Sequence, residues 1–353
     1  MLTVYLPGKN LIKALDFFDK IVGSQENRYL TFFASNGLCL AGGDGILNAC
    51  LILKPKITFP YTYTFCMDGL RTFLKDKIDQ SIKIEIGSYL KFTVSGEYLE
   101  LKTQPGEITF TQERGTTLGI ISTQTLRRIF DLASLISQEG EKIFLFLQKG
   151  HLGAIGENFK LLSCAFTSFP SSHSFSLTVP YSSLRHLVKS LQLISEKQVN
   201  LFLSANTLDM TFSWLKMSLH FSPVPHQTLS LLKSALMTSP LAKIKLDLKT
   251  IQKNLARVSR IQKQLNALGK ISFTSKKCIF CATSSQGTYT ITLPLPAPLP
   301  QSFSITCHFP HLYSLCRRLR GKEITISILP SGWVLKHGQF FCFLRKEEKP
   351  KVF

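Results

Sequence analysis

The sequence predicts an α+β protein made of three consecutive units, each with two helices packed on antiparallel sheets. One short helical pattern occurs three times, as "GLRTFLKD" (69–76), "SLRHLVKS" (183–190) and "HLYSLCRRLRG" (311–321). Aligning these stretches on their first leucine superimposes Leu70, Leu184 and Leu312, which lie 114 and 128 residues apart. Each stretch follows an alternating strand and precedes three short strands. Recurrence of about eight elements in one order indicates a structural repeat.

The first third of the chain sets the order of elements, with Gly, Asn, Ser and Pro at the turns, as hairpins require. It begins with a strand (2–6), a helix (8–23) and three strands (29–35, 38–42, 46–53). A strand (61–66), the helix that contains 69–76, and three strands (81–87, 89–95, 98–103) complete it.

The middle and last thirds repeat that order. The middle third has helices at 123–137 and 181–194, with strands at 118–122, 143–148, 151–155, 160–166, 174–180, 198–204, 207–213 and 215–221. The last third has helices at 249–268 and 310–321, with strands at 242–248, 270–274, 277–283, 288–293, 302–309, 323–328, 332–336 and 339–344. We therefore expect three domains, 1–114, 115–238 and 239–353.

Composition indicates a folded, strongly basic protein. Hydrophobic residues make up 44% of the 353 residues, and 42 Lys and Arg against 22 Asp and Glu give a net charge of +20. Such an excess favours a polyanionic partner, either nucleic acid or an anionic membrane surface. Apolar runs are too short to span a bilayer, and the first residues do not resemble a secretory signal. Nine cysteines scattered through apolar segments suit buried free thiols in a reducing compartment, so we expect a cytoplasmic protein.

Basic residues recur at spacings of three and four in the predicted helices, which places them on one face opposite the apolar residues. The stretch 249–260 is nearly free of acids and is the strongest case. Any single surface lysine has an ordinary explanation in solubility, so the pattern carries the interpretation. The candidate DNA-binding residues are Lys9, Lys13, Lys20, Arg71, Lys75, Arg127, Arg128, Arg185, Lys189, Lys249, Lys253, Arg257, Arg260, Arg317 and Arg318.

The three-unit pattern resembles the bacterial DNA polymerase III beta subunit, the DNA sliding clamp, over about residues 1–346. The opening "MLTVYLPGKNLIKALDFFDKIVG" resembles the first strand and helix of that family. The segment "FKLLSCAFTSFP" stands where the family has G-H-R-L-A, with Phe159 in place of the usual His and Lys160 and Leu161 retained in character. This resemblance implies three clamp-like domains. It also implies a homodimeric ring around double-stranded DNA, with paired helices lining the hole.

The family also implies partner proteins, a DNA polymerase and a clamp loader, that bind a cleft between the second and third domains. The candidate cleft residues are Lys160, Leu161, Phe340, Phe341, Phe343 and Leu344. A purely structural role in the core explains the same phenylalanines equally well. The ending departs from the family's apolar tail, because "RKEEKPKVF" is a charged extension that could fold back over such a groove.

Other motifs have structural interpretations. Cys278, Cys281, Cys307, His308, His311 and Cys316 offer zinc ligands, but the cysteines fall in apolar patterns that favour buried thiols. "AGGDGIL" (41–47) is better explained as a hairpin turn than as a phosphate-binding loop, and "PLPAPLPQ" (294–301) as a linker. Nucleophile-elbow and metalloprotease motifs are absent. We expect no metal, no cofactor and no enzymatic activity.

Three functions remain open from the sequence. The first is a sliding clamp that encircles DNA and confers processivity on a replicative polymerase. The second is a divergent clamp-fold protein that holds DNA by charge without closing a ring, which the +20 charge suggests because the family commonly has acidic surfaces. The third is a basic adaptor that binds RNA or the ribosome, for which only the charge argues.

Overall fold

A computed structural model describes residues 2–23, 28–35, 37–59, 62–101, 115–158, 161–223 and 238–346. In this part of the chain the helices follow the predicted order. They are α1 (Gly8–Val22), α2 (Met67–Leu74), α3 (Thr123–Ser134), α4 (Tyr181–Leu191), α5 (Leu248–Gln264) and α6 (Phe309–Cys316).

The strands confirm the predicted pattern of one strand before each helix and three after it. In the first third they are β1 (Leu2–Pro7), β2 (Tyr29–Ala34), β3 (Gly37–Gly43), β4 (Leu47–Pro55), β5 (Tyr63–Cys66), β6 (Ser81–Ile86), β7 (Leu90–Val94) and β8 (Glu97–Leu101). In the middle third they are β9 (Thr116–Ser122), β10 (Lys142–Gln148), β11 (His151–Glu157), β12 (Leu161–Ser168), β13 (Phe175–Pro180), β14 (Gln198–Leu203), β15 (Thr207–Thr211), β16 (Leu215–His220) and the short β17 (Ser222–Pro223). In the last third they are β18 (Ala242–Asp247), β19 (Leu268–Phe273), β20 (Lys277–Ser284), β21 (Gly287–Pro294), β22 (Phe303–Thr306), β23 (Glu323–Leu329), β24 (Gly332–His337) and β25 (Phe340–Arg345).

The leucines that aligned the repeat occupy one equivalent position. Leu70, Leu184 and Leu312 are each the fourth residue of their helix, and each side chain is at most 1% exposed. Amphipathic spacing explains this burial, since residues three and four apart share one face of a helix. The repeat seen in the sequence is therefore a repeat of packed structure.

Most differences from the predicted elements occur at helix ends. The predicted 249–268 helix stops at Gln264, because Asn266 has a left-handed φ of 44° and the chain turns there. The predicted 310–321 helix stops at Cys316, after which Arg318 and Leu319 donate to carbonyls only three residues back, as in a tightened last turn. Helix ends are where sequence patterns carry least information.

The chain divides into two compact units. Unit 1 contains residues 1–127, 169–173 and 182–222, and unit 2 contains 128–168, 174–181 and 223–353. Unit 1 holds a four-stranded sheet, β1-β6-β7-β8, and an eight-stranded sheet, β5-β2-β3-β4-β16-β15-β14-β9. Unit 2 holds a nine-stranded sheet, β17-β13-β10-β11-β12-β25-β24-β23-β18, and a four-stranded sheet, β21-β20-β19-β22. The domain limits at 114 and 238 stay a prediction.

Each large sheet forms where two repeats join edge to edge. We call the β4–β16 pair the first seam and the β12–β25 pair the second seam. Both are antiparallel, and in both the third residue of one strand faces the third residue of the other: Ala49 faces Met217, and Ser163 faces Cys342. The two seams therefore share one register.

Candidate nucleic-acid interface and partner face

The clearest basic surface is one face of α5. Lys249, Lys253, Arg257 and Arg260 are all exposed, and no acidic residue occurs within the helix. At 1.5 Å per residue, the four cations extend over about 16 Å. In the described part of the chain these four side chains form no ion pair, so their charges are available to an external anion.

Two glutamines of α5 hold the helix against α6. Gln252 Nε2 donates to the carbonyl oxygens of Cys316 (2.7 Å) and Leu319 (3.2 Å) at the end of α6. The buried Gln262 accepts from the Phe309 N–H (2.7 Å) at the start of α6. Asp247 caps α5 by accepting from the Thr250 N–H at 2.7 Å. The four basic residues, which we call the α5 stripe, thus lie on a helix that is held at both ends.

Sequence reasoning missed one member of this surface. Lys263 is exposed and lies three residues after Arg260, so it extends the stripe by one turn. The spacing of three residues from Arg260 to Lys263 is visible in the sequence, so the pattern itself was sufficient to find this residue.

The basic residues of α1 and α2 fall into two groups. Lys9, Lys13 and Lys75 are exposed, without an ion pair among the described residues. Arg71 instead bonds Asp19 (2.8 Å) and Asp16 (3.2 Å) of α1.

Asp19 is the centre of an ionic network between α1 and α2. It also pairs with Lys20 (2.9 Å) and with Arg28, which reaches Asp68 at 3.0 Å. Burial alone would raise the pKa of Asp19, but the hydrogen bonds from Lys20 and Arg28 and the charge of Arg71 hold that pKa below its ordinary value. Arg71 and Lys20 therefore have a structural role here, whatever they contact outside the chain.

The remaining candidate residues lie on α3, on α4 and just after α6. Arg128, Lys189, Arg317 and Arg318 are exposed, and Arg127 and Arg185 are partly exposed. Arg318 lies 3.6 Å from Asp131, so its charge is partly balanced within the chain. The strength of these positions as anion contacts is accordingly uneven, with α5 the strongest.

The second seam separates the predicted cleft residues onto two faces. Ser163 Oγ donates to the Leu132 carbonyl of α3 at 2.7 Å, which marks the helix-facing side. Leu161, Phe340 and Leu344 share that side by strand alternation, and each is at most 4% exposed. They are core residues in this structure. Lys160 lies outside the described residues, as does the tail from 347 onwards.

Phe341 and Phe343 lie on the opposite face of the same sheet, within an aromatic group that we call the outer patch. Phe166 and Phe341 stack with ring centroids 5.5 Å apart. Phe144, Phe166 and Phe343 are only partly buried. The patch consists of Phe144, Phe146, Ile155, Leu162, Cys164, Phe166, Leu329, Val334, Phe341 and Phe343. Polar groups at its margin include Lys336, whose Nζ lies 5.3 Å from the Phe341 ring, and the Arg345–Glu157 ion pair.

Most of the outer patch was missed from the sequence. The available signal was that β10 ("KIFLFLQ") and β12 ("LLSCAFTS") are apolar at successive positions, not only at alternate ones. A strand that is apolar at successive positions presents an apolar surface on both faces of its sheet.

The first seam provides an internal comparison, and its corresponding face is polar. Where the second seam has Leu162 and Phe343, the first has Asn48 and Ser218, and where the second has Cys164 and Phe341, the first has Cys50 and Lys216. Lys216 pairs with Asp209 at 3.1 Å. Seam geometry alone therefore does not require an aromatic patch.

The other motifs behave as structural elements. Cys278, Cys307 and Cys316 are buried and Cys281 is partly exposed, and in the described chain no group of three or more His, Cys, Asp or Glu side chains is arranged to hold a metal. "AGGDGIL" forms the β3–β4 hairpin as predicted. Residues 294–301 connect β21 to β22, and their Leu295 and Leu299 N–H groups bond the β19–β20 turn. Among the described helices, none is long and apolar enough to cross a membrane.

Comparison with known proteins identifies the fold. No protein-family model matches the sequence, and no curated protein matches it either. The structure is similar to a putative DNA polymerase III beta subunit from Eubacterium rectale, with a TM-score of 0.85, 12% identity, and coverage of 99% of this chain and 100% of that one. It is also similar to the DNA polymerase III subunit beta of Pseudomonas aeruginosa (TM-score 0.84, 13% identity, 99% and 100% coverage) and to the beta subunit from DNA polymerase of Streptococcus pyogenes (0.81, 15%, 99% and 100%). The predicted three-domain clamp fold is confirmed, at a low identity that fits a divergent sequence.

Proposed function

We propose that this chain is a divergent DNA sliding clamp that encircles double-stranded DNA and confers processivity on a replicative polymerase. The observation that carries the proposal is the combination of this fold with the acid-free basic face of α5. On this proposal the chain is a cytoplasmic scaffold without catalytic activity, and the polymerase supplies the chemistry.

Contact with DNA is proposed through the basic helix faces. Lys and Arg side chains on helices meet phosphates without reading base edges, so they neutralise charge and leave the protein free to move along the duplex. Lys249, Lys253, Arg257, Arg260 and Lys263 are the principal candidates because they are exposed and form no ion pair among the described residues.

Ring closure is supported by the rule that builds both seams. In each, the third strand after a repeat's first helix pairs with the third strand after the next repeat's second helix: β4 with β16, and β12 with β25. The same rule would pair β21 with β8. Each of these two strands lies at the open edge of its four-stranded sheet. We therefore propose that β21 of one copy pairs with β8 of another, head to tail, in a homodimer.

The side chains at these two edges suit such pairing. Leu99 and Leu101 of β8, and Tyr289, Ile291 and Leu293 of β21, are only partly buried, although they stand beside fully buried neighbours such as Phe92 and Phe280. In the register of the two seams, the third residues face each other, so Leu99 would face Tyr289. Pairing would bury this apolar surface and satisfy both open edges.

The outer patch is proposed to bind the polymerase and the clamp loader. Its partly exposed phenylalanines form an aromatic surface of the type enriched at protein interfaces. The polar first seam lacks this surface, which makes the second seam the proposed partner site.

The experiment that tests the proposal compares circular and linear DNA at rising salt. A closed ring loaded on a nicked circle stays bound in high salt, because its retention is topological, and it leaves once the circle is cut. The alternative, a clamp-fold protein held only by its +20 charge, loses both forms steeply with salt. Equal, salt-sensitive binding to both forms would reject ring closure and favour that alternative.

A further inference from the structure

The turns beside the two seams carry equivalent polar residues. Asp44 follows β3 and Asn158 follows β11, 114 residues later, at the same point of the repeat. Each side chain accepts from the N–H three residues on, Leu47 at 2.6 Å and Leu161 at 2.9 Å. Each backbone N–H also donates to the carbonyl of that same residue.

Both turn residues also reach the helix of the next repeat. Asp44 Oδ2 accepts from Ser183 Oγ (3.1 Å) and contacts His186 Nδ1 (3.1 Å), the third and sixth residues of α4. Asn158 Nδ2 lies 3.2 Å from Nδ1 of His311, the third residue of α6. We call this turn-to-helix contact a clasp, and it ties together the two repeats that each seam joins.

The clasp at the first seam is well buried. The Asp44 side chain is 8% exposed. Burial alone would raise the pKa of Asp44, but the bonds from His186, from the Leu47 and Ile46 N–H groups and from Ser183 outweigh it and hold that pKa below its ordinary value. A carboxylate with this many donors is a strong tether.

The elements of the third junction differ at both positions. The third residue of α2 is Gly69, which has no side chain to donate, and the sixth is Thr72. The β20–β21 turn contains only Ser285 and Gln286 between the strands, one residue fewer than the other two turns. Ser284 Oγ is used within its own turn, 3.1 Å from the Gln286 N–H. In these described elements, the first turn residue, Ser285, carries neither a carboxylate nor an amide, and the third helix residue, Gly69, carries no donor.

We infer that clasps lock the two junctions inside the chain and that the junction between copies, made of the same elements, is left without one. This rests on the proposed pairing of β21 with β8. The consequence is an interface between copies that releases more readily than either intrachain seam. A Cβ added at Gly69 would meet no atom within 4 Å, so a clasp can be introduced there without a clash.

The test adds the missing clasp by combining Gly69→Ser with Ser285→Asp, which copies the Ser183–Asp44 contact. Subunit exchange is followed by mixing two pools of full-length chain that carry different fluorophores. We expect exchange in the double variant to slow about tenfold, the effect of one charge-assisted hydrogen bond, and each single variant to stay within about twofold of wild type. A double variant that exchanges no more slowly than its singles would overturn the inference.

A second measurement tests the intrachain clasps without any ring. Ser183→Ala with His186→Leu removes the helix side of the first clasp and leaves the Asp44 turn intact, and His311→Leu does the same at the second. Backbone hydrogen exchange should quicken at the first seam in the former variant and at the second seam in the latter. Unchanged exchange at both seams would also overturn the inference.

The wild-type mass in solution separates this inference from the proposed function. A wild-type chain that stays monomeric at all concentrations would reject the proposed ring and the inference together. If the wild type is a dimer and the double variant exchanges subunits no more slowly than the single variants, the inference is rejected and the proposed ring is not.

Discussion

Phe166 and Phe341 stack almost in parallel, with their ring planes 8° apart, on the face of the second seam that points away from α3. Their strands, β12 and β25, belong to different repeats, so this contact exists only because the seam forms. The stack joins the two strands within the outer patch, which also contains the partly exposed Phe144 and Phe343.

Phe343→Ser should abolish the proposed stimulation of a replicative polymerase on primed circular DNA. Phe343 is half-buried, so the change removes an aromatic anchor from the outer patch and lowers the free energy of unfolding by only about 1 kcal/mol. The matched control is Phe202→Ser, the same change at a partly buried residue of β14, in the eight-stranded sheet of unit 1. Equal stimulation by both variants would show that the patch is not the partner site.

Replacing Lys253, Arg257 and Arg260 by Glu should flatten the salt dependence of DNA binding. Each lost phosphate contact lowers the slope of log K against log salt by about 0.9, so we expect a decrease of up to about 3. Fluorescence anisotropy with a linear duplex measures it. The control changes three exposed strand lysines, Lys243, Lys245 and Lys270, to Glu, which alters net charge equally. A slope that decreases alike in both variants would assign the effect to net charge instead of to α5.

Leu99→Lys should convert the proposed dimer to a monomer. The lysine would place a charge in the apolar strip that the proposed β8–β21 pairing buries, which costs far more than the same change at a free edge. Leu2→Lys is the control, because Leu2 is a partly buried residue on β1, the other edge strand of the same sheet. Light scattering gives the mass of each variant, and a dimeric Leu99→Lys chain would place the interface elsewhere.

The order of elements was predictable from the sequence because strand alternation and helical spacing are local properties. The face of each β25 residue was not, since "FFCFLR" is apolar at nearly every position and gives no alternation to follow. Its faces follow from its pairing with the distant strand β12, in which Cys342 lies opposite Ser163 and Ser163 faces α3. For that reason the sequence pattern could not separate Leu161, Phe340 and Leu344, which the structure places in the core, from the residues of a partner cleft.

The ionic network of α1 and α2 was unpredictable for a related reason. Arg71 lies 52 residues from Asp19, and nothing local to either residue indicates their contact. The exposed face of α5, in contrast, depends on spacing within one helix, and the four basic residues listed from the sequence are all exposed there.

Asp44→Asn should lower the free energy of unfolding at neutral pH by about 1–2 kcal/mol. This difference between wild type and variant should disappear in acid. The pKa of Asp44 is lower in the folded chain than the ordinary value of about 3.9, so its stabilisation is fully present above about pH 4. It is lost as the pH falls through the folded-state pKa, where wild type and variant converge. Urea unfolding between pH 3 and 7 measures this, with Asp76→Asn, at an exposed carboxylate, as a control that shows no such trend. If the difference in free energy of unfolding stays constant across this pH range, the charge of Asp44 does not contribute to stability.

Thiol labelling should separate the cysteines by exposure and provide a test of the zinc alternative. The thiolate is the reactive form, and burial raises the pKa of Cys164, Cys278 and Cys316 to about 12, so these thiols should label only on unfolding. Cys66 is exposed and should react first with iodoacetamide at pH 8, followed by the partly exposed Cys281. Mass spectrometry of digests at successive times gives the order. If a chelator makes Cys281 and Cys278 react together, the pair holds a metal. If it has no effect, these residues are the buried and half-buried thiols of an ordinary strand, and the Cys-x-x-Cys spacing reflects strand geometry alone.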